Sequence, residues 1–222
     1  MYQLYYYPLN ASMLAHLVLC ELELDHELIL VDRRRNQQKS PAYLQLNPTG
    51  RIPTLIDGEL VLHESAAICL HISAQCPASN LVPDTRSEDY PKFYQYLMYL
   101  SSSLQTELMV YFYPEKYVNG ESAISALKQN QQVRISDIFN VLDQALVGKD
   151  YLLGETLSVC DYLLLMLSIW GDEISKPPQD FTHLNRYLSQ LIKRKAVKRV
   201  CQVEGFNLAQ YQELLAKAAA NF

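Results

Sequence analysis

"NPTGRIPTL", residues 47–55, places a proline, Pro53, where a β-strand is about to begin. Proline has no N–H to donate to a sheet ladder, so it is confined to strand starts, edges and bulges. About 5–6% of X–Pro bonds in folded proteins are cis, and they usually mark a specific turn. A cis bond after Ile52 would kink the chain and leave the main-chain N–H and C=O of Ile52 facing outward. The alternative is a trans proline at an ordinary strand start.

The first 76 residues around this stretch alternate between strand and helix signals. A tyrosine-rich strand signal is followed by a helical apolar pattern, for which Asn10 or Ser12 is available as the cap. Asp57-Gly58 is a strong two-residue hairpin signal between two later strands. The predicted order is β-α-β-α-β-β-α, in which a right-handed crossover unit precedes an antiparallel pair. The segments are "YQLYYYP" (2–8), the helix after it, "HELILVD" (26–32), "SPAYLQLNP" (40–48), the hairpin and a helix starting at Ser65.

The remainder of the chain has helical patterns only. One long helix is predicted over 87–114, a second over 121–146 and a third over 158–171, with at least two more after them. Ser158 and Asp161 form an S-x-x-D capping box at the start of the third helix, which is apolar nearly all round. The predicted organisation is an α/β domain over 1–78, a linker over 79–87 and an all-α domain over 88–222.

Composition excludes several classes of function. The net charge of −5 argues against nucleic acid as the main partner, because phosphate binding relies on an excess of Lys and Arg. No stretch approaches about 18 consecutive apolar residues, so no membrane span is expected, and the N-terminus has no signal-peptide pattern. The five cysteines show no CxxC spacing, which predicts free thiols in the cytoplasm and no metal site.

The chain resembles the cytosolic glutathione S-transferases, of bacterial type, over essentially its whole length. The resemblance is carried by "KSPAYLQLNPTGRIPTLIDGELVLHESAAI" (39–68), "YYYPLNAS" (5–12) and "LSVCDYLLL" (157–165). It implies a thioredoxin-like N-terminal domain, an all-α C-terminal domain, a glutathione site between them and a homodimer. Glutathione is then the co-substrate.

The resemblance also implies how the γ-glutamyl and cysteinyl parts of glutathione are bound. The main chain of Ile52, held by a cis Pro53, pairs with the cysteinyl part as an added strand. Ser65 begins a helix whose unpaired N–H groups and dipole favour the γ-glutamyl carboxylate. Glu64 and Ser65 match the acidic-Ser pair of the family. Taken singly, Ser65 is explained equally well as a helix N-cap.

The glycyl carboxylate of glutathione needs cations. Lys39, with Gln38 beside it, matches the family positions that hold this carboxylate, and Arg51 lies near enough in sequence to help. Lys39 alone would be read as a solvated surface residue.

The transferase reaction needs the glutathione thiolate, whereas a free thiol has a pKa of about 8.5. Lowering that pKa by about two units requires about 2.7 kcal/mol, and one charge-assisted hydrogen bond supplies about 1.5–3 kcal/mol. By resemblance the donor lies on the first strand or the turn after it, and we rank Ser12 first, then Asn10, then Tyr6. The alternatives are helix capping for Ser12 and Asn10, and strand packing for Tyr6.

Two positions depart from the bacterial beta-like members of the family. Ala11 stands where those members have a cysteine, and Gln105 stands where they have a histidine. Both departures argue against a cysteine-type mechanism. The family's electrophile pocket lies against the long helix, so Gln105 and Tyr111 are the predicted pocket residues. Tyr111 is one of several aromatic residues on that helix (Tyr94, Tyr96, Tyr99, Tyr111, Phe112 and Tyr113), and such a stripe is more often core or dimer surface.

Two functions follow. The first is a glutathione transferase that conjugates the thiolate to small hydrophobic electrophiles in detoxification, with glutathione-dependent peroxidase or disulfide reductase chemistry as a further expectation. The second is a non-catalytic scaffold of the same fold that binds protein partners. Retention of the predicted glutathione-binding residues favours the enzyme.

Overall fold

The structure of this chain, a computed structural model, describes residues 1–220. They form two compact units: unit 1 contains Met1–Val82 and Arg194–Leu208, and unit 2 contains Pro83–Lys193 and the chain from Ala209 onward.

Unit 1 contains a four-stranded sheet with strand order β2-β1-β3-β4. β1 and β2 are parallel, whereas β1 with β3 and β3 with β4 are antiparallel, which confirms the predicted crossover and hairpin. The elements are β1 (Tyr2–Tyr6), α1 (Ser12–Glu21), β2 (His26–Leu30), α2 (Pro41–Leu46), β3 (Thr54–Asp57), β4 (Leu60–His63), α3 (Ser65–Ala74) and, after unit 2, α9 (Lys195–Glu204).

The centre of the sheet forms the core of unit 1. Leu4 of β1 pairs in register with Leu55 of β3, and both side chains are completely buried. α1 is buried along almost its whole length, from Ser12 to Cys20. Burying a large aliphatic side chain contributes about 1.5–3 kcal/mol, so these positions hold α1 in the core of unit 1.

The hairpin turn lies one residue later than predicted. Its two loop residues are Gly58 and Glu59, and Asp57 is paired with Leu60 as the last pair of the ladder. Gly58 has a φ of +60°, a left-handed conformation that favours glycine at this position.

Unit 2 is helical. The predicted first long helix is instead α4 (Tyr90–Met98), a π-helical segment over 99–104, and α5 (Gln105–Phe112). In the π segment, Ser101 and Ser102 donate their hydroxyl hydrogen bonds to the carbonyls of Leu97 and Met98. Such bonds compete with the regular helical ladder. The other helices are α6 (Glu121–Ala145), α7 (Val159–Trp170), α8 (Thr182–Leu191) and α10 (Leu208–Ala219).

α7 is the buried centre of unit 2, and its predicted capping box is present. The Asp161 carboxylate accepts from the Ser158 N–H at 2.7 Å, the Leu152 N–H at 2.9 Å and the Tyr187 hydroxyl at 2.8 Å. Burial raises the pKa of Asp161. The four groups fix the start of α7, which is a folding role.

The predicted domains and the compact units differ near the end of the chain, because residues 194–208 group with unit 1. Arg194 forms an ion pair with Glu21 of α1, and Glu204 lies against His16. These contacts join α9 to α1. Within residues 1–220, no helix combines the length and the apolar character that crossing a lipid bilayer requires.

Candidate functional site

The Ile52–Pro53 bond is cis, as predicted. The turn before it is held by its own side chains: the Arg51 carbonyl accepts from the Tyr43 hydroxyl and from the Asn47 amide, both at 2.8 Å. The Tyr43 hydroxyl also lies 2.8 Å from the Thr54 hydroxyl at the start of β3. The turn is therefore fixed from both sides.

Ile52 presents an unused main chain. Within residues 1–220, neither its N–H nor its C=O takes part in a hydrogen bond, and the β1–β3 ladder begins only at Thr54. The whole residue is 8% exposed, and it belongs to a cluster with Val31 and Tyr43. Packing therefore holds the residue, while its main-chain donor and acceptor have no partner within residues 1–220.

The predicted cationic residues lie beside this turn. Lys39 Nζ donates to the Thr49 carbonyl at 3.2 Å. Gly50 has a φ of +59°, and a Cβ there would lie 2.6 Å from Lys39 Nζ and 3.0 Å from the Gln38 carbonyl, so glycine permits this approach. The Gln38 side-chain oxygen is buried and has no hydrogen-bond partner in the described part of the chain. Arg51 is exposed.

Ser65 is the first residue of α3 and is 9% exposed. Its hydroxyl donates to the Ala11 carbonyl at 2.9 Å, which brings the start of α3 to the start of α1. Glu64 precedes it with a φ of +73°. A non-glycine residue in such a conformation costs about 1–3 kcal/mol and is found most often at functional sites.

Ser12, our first-ranked thiol activator, is completely buried. Its hydroxyl donates to the Tyr7 carbonyl at 3.1 Å and accepts from the Tyr7 N–H at 3.3 Å. The single hydroxyl proton is therefore already used, which does not favour Ser12 as a donor to a thiolate.

Asn10, unlike Ser12, has a side chain whose hydrogen-bonding groups are not used within residues 1–220. The N-cap of α1 is Ala11 and has no side-chain cap, so the predicted capping by Asn10 or Ser12 is wrong. Asn10 is half-buried, and its carboxamide makes no hydrogen bond to any of residues 1–220. Its amide N–H groups are thus available.

Tyr6 is half-buried on β1. Tyr5 and Tyr7 pack against the cluster of Val31, Tyr43 and Ile52. Because side chains alternate along a strand, Tyr6 points to the other sheet face. The structure does not bring Tyr6 to the Ile52 cluster.

Glu204 is a further residue of this region, and no sequence pattern predicts it. Leu9, whose φ is +55°, donates its N–H to Glu204 Oε2 at 2.7 Å, and His16 Nδ1 lies 2.8 Å from Glu204 Oε1. His16 and Glu204 are both almost fully buried. A residue of α9 therefore fixes the turn that carries Asn10, and no local pattern signals a contact across nearly 190 positions.

Gln105 and Tyr111 lie in unit 2, on α5, and both are half-buried. The Tyr111 ring contacts Phe112 edge to face at 5.4 Å, and Lys128 Nζ lies 5.1 Å from its centroid.

The arrangement in unit 1 suits a small anionic peptide. Ile52 offers a main-chain donor and acceptor, Lys39 and Arg51 offer positive charge nearby, and α3 offers its N-terminus near Asn10. Helix N-termini favour carboxylates, and an unpaired main chain beside a sheet accepts an added strand.

Comparison with known proteins agrees with this geometry. Residues 2–74 match the family model of the glutathione S-transferase N-terminal domain, and residues 104–195 match that of the C-terminal domain. Glutathione S-transferase hmp2 of Hypomyces subiculosus is 31% identical over 80% of this chain and 87% of its own. Glutathione S-transferase GST-4.5 of Xanthomonas campestris is 24% identical over 92% of this chain and 100% of its own. A sphingomonad glutathione S-transferase, solved in complex with glutathione, is 27% identical with a TM-score of 0.80, covering 91% of this chain and 98% of its own.

The chain belongs to the glutathione S-transferase family. The resemblance read from the sequence is confirmed, as is the fold class of a thioredoxin-like domain followed by a helical domain. Family membership and glutathione-bound neighbours support glutathione transferase activity.

Proposed function

We propose that this transferase binds glutathione along Ile52 and activates its thiol with Asn10. The observation that carries the proposal is the unpaired main chain of Ile52 before the cis Pro53. The cysteinyl unit of glutathione has one N–H and one C=O, so it matches this donor and acceptor as a one-residue added strand.

The two carboxylates of glutathione have different partners in this proposal. The γ-glutamyl carboxylate lies at the start of α3 and accepts hydrogen bonds there, with Glu64 beside it for the α-ammonium group. Ser65 has one hydroxyl proton, which is donated to Ala11 at 2.9 Å, so the hydroxyl must rotate if it is to serve the carboxylate. Lys39, Gln38 and Arg51 bind the glycyl end.

Asn10 is favoured over Ser12 as the thiol-activating group because its amide is available. A hydrogen bond to a charged acceptor contributes about 1.5–3 kcal/mol, which corresponds to about one to two pKa units of the bound thiol. Glu204 acts on the thiol indirectly. Its carboxylate accepts the Leu9 N–H at 2.7 Å and so fixes the residue next to Asn10.

The second substrate in this proposal is a small hydrophobic electrophile, with Gln105 and Tyr111 of unit 2 as predicted contacts. Peroxide or disulfide reduction by the same thiolate, and a role in detoxification, remain part of the proposal. The homodimer follows from the family resemblance. All five cysteines are free thiols, which supports a reducing, cytoplasmic location.

Steady-state conjugation of glutathione to a chlorodinitrobenzene tests the function, together with retention on glutathione-agarose. We expect retention and saturable turnover, and we expect light scattering to report a dimer. A folded protein that is neither retained nor active would favour the non-catalytic scaffold.

A further inference from the structure

Unit 1 contains a group of potential metal ligands that the proposed glutathione site does not use. One ligand atom from each of His16, Cys20 and His26, a ring nitrogen or the Cys sulfur, lies within 4.8 Å of the others. The rings of His16 and His26 are 5.5 Å apart, centroid to centroid.

The fold produces this group from one helix and the strand that follows it. His16 and Cys20 are four residues apart on α1, so they lie on the same helix face. His26 is the first residue of β2, whose pairing with β1 fixes it after the short connection from α1. His16 and Cys20 are buried and His26 is half-buried, which gives the group one partly open side.

Each histidine is already oriented through one nitrogen. His16 Nδ1 lies 2.8 Å from the Glu204 carboxylate, and His26 Nδ1 lies 2.7 Å from the Leu24 carbonyl. A carbonyl oxygen only accepts, so His26 Nδ1 carries the proton and Nε2 keeps its lone pair. Metal-binding histidines almost always have such an outer partner, either a carboxylate or a backbone carbonyl.

Two charged residues of α9 lie close enough to act on the group, the positive Arg199 and the negative Glu204. Arg199 is exposed, so solvent weakens its repulsion of a cation.

We propose that His16, Cys20 and His26 form a binding site for Zn²⁺. Imidazole and thiolate are the ligands that Zn²⁺ prefers, with ligand atoms at about 2.0–2.3 Å and therefore roughly 3.5 Å from one another in tetrahedral geometry. Binding requires side-chain rotations that shorten the present separations of up to 4.8 Å. Three protein ligands leave the fourth position to water or an added ligand.

The proposed site is joined to the turn before α1 through Glu204. The same carboxylate contacts His16 on one oxygen and the Leu9 N–H on the other, at 2.8 and 2.7 Å. Bound Zn²⁺ would connect α1 to the start of β2 and stabilise unit 1 by mass action.

Titration of the chelator-treated, reduced protein with Co²⁺ tests this site, because Co²⁺ replaces Zn²⁺ and absorbs light. We expect one Co²⁺ per chain, tetrahedral d–d absorption, a thiolate-to-cobalt charge-transfer band and displacement by one equivalent of Zn²⁺. The Cys20→Ser variant should lose the charge-transfer band. The His26→Ala variant should bind at least about tenfold more weakly, and Zn²⁺ should raise its melting temperature less.

Cys76→Ser and His71→Ala are matched controls, since Cys76 is a half-buried thiol and His71 a half-buried histidine paired with Asp57, both outside the group. Both should bind like the wild type. The proposal is overturned if the wild type shows no charge-transfer band, or if the Cys20→Ser and His26→Ala proteins bind Co²⁺ unchanged. If the Cys20→Ser variant does not fold, Co²⁺ binding by the His26→Ala variant still tests the site, because His26 is only half-buried.

Discussion

Ser65 donates its hydroxyl hydrogen bond to the carbonyl oxygen of Ala11 at 2.9 Å. This single bond joins the N-terminal end of α3, which favours an anion, to the N-terminal end of α1, where Asn10 lies. In the proposed mechanism the first end binds the γ-glutamyl carboxylate and the second activates the thiol. The bond therefore sets the distance between the proposed carboxylate site at α3 and the thiol-activating group at α1.

Removing this hydroxyl should affect both stability and affinity. In Ser65→Ala the Ala11 carbonyl loses its partner, and we expect a loss of about 1 kcal/mol in the free energy of unfolding. The affinity for glutathione, measured by calorimetry, should fall about fivefold, because the start of α3 is no longer held against the start of α1 by this bond.

Ser73→Ala is the matched control for that variant. Ser73 is also a buried serine of α3, but its hydroxyl has no hydrogen-bond partner within residues 1–220. Its removal should cost no stability and leave the affinity unchanged. Equal effects of the two substitutions would mean that the Ser65 hydroxyl contributes nothing specific.

Asn10→Ala should raise the pKa of bound glutathione by about one unit, since the thiolate loses a charge-assisted hydrogen bond. The measurement is the ultraviolet absorbance of the thiolate against pH in the saturated complex. Ser12→Ala should lower the melting temperature, because the Ser12 hydroxyl bonds to both main-chain groups of Tyr7. It should leave the pKa of bound glutathione unchanged. The opposite result would return the activating role to Ser12.

Lys39→Ala should raise the KM for glutathione about five- to tenfold and change kcat by less than about twofold, because Lys39 binds a carboxylate remote from the thiol. Arg34→Ala removes an exposed cation five residues before Lys39; it is the control and should leave both constants unchanged. An equal fall in kcat and kcat/KM for Lys39→Ala would show that Lys39 acts in the transition state instead.

Local signals in the sequence predicted most of unit 1. The family resemblance predicted the cis turn at Pro53, which its place at a strand start had left open, and the hairpin and helix signals predicted β3, β4 and α3 in order. The hairpin turn was misplaced by one residue because Asp-Gly marks a turn without fixing its register.

Contacts that are distant in sequence could not be predicted. The bonds of Glu204 to Leu9 and His16 join residues 195 and 188 positions apart. The grouping of 194–208 with unit 1 depends on the same long-range packing. Ser12 was ranked first for its residue type, yet the fold buries it and uses both hydrogen-bonding functions of its hydroxyl.

The stability of unit 2 should depend on pH through Asp172, which lies two residues after α7. Burial, reinforced by the charge of Glu173, raises the pKa of Asp172 to about 6 from 3.8. The folded state thus binds this proton more tightly than the unfolded state, so the free energy of unfolding falls as pH rises from about 4 to about 6. Asp172→Asn should be more stable than the wild type by about 1 kcal/mol at pH 8, a value discounted for partial exposure.

Urea denaturation at pH 4 and pH 8 measures that difference. The advantage of Asp172→Asn should largely vanish at the lower pH, where the wild-type carboxyl is protonated in the folded state and about half protonated in the unfolded state. Asp137→Asn, at an exposed position of α6, is the control and should show no such trend. A pH-independent advantage would contradict the assignment.

Hydrogen exchange of the Ile52 amide, followed by NMR with and without glutathione, tests whether glutathione pairs with the main chain of Ile52. This N–H has no partner within residues 1–220, so it should exchange readily in the free protein. We predict that saturating glutathione slows its exchange by about tenfold or more, as an added strand would. Saturation by glutathione with no change at Ile52 would contradict the proposed binding mode, because the peptide would then bind without pairing to this main chain.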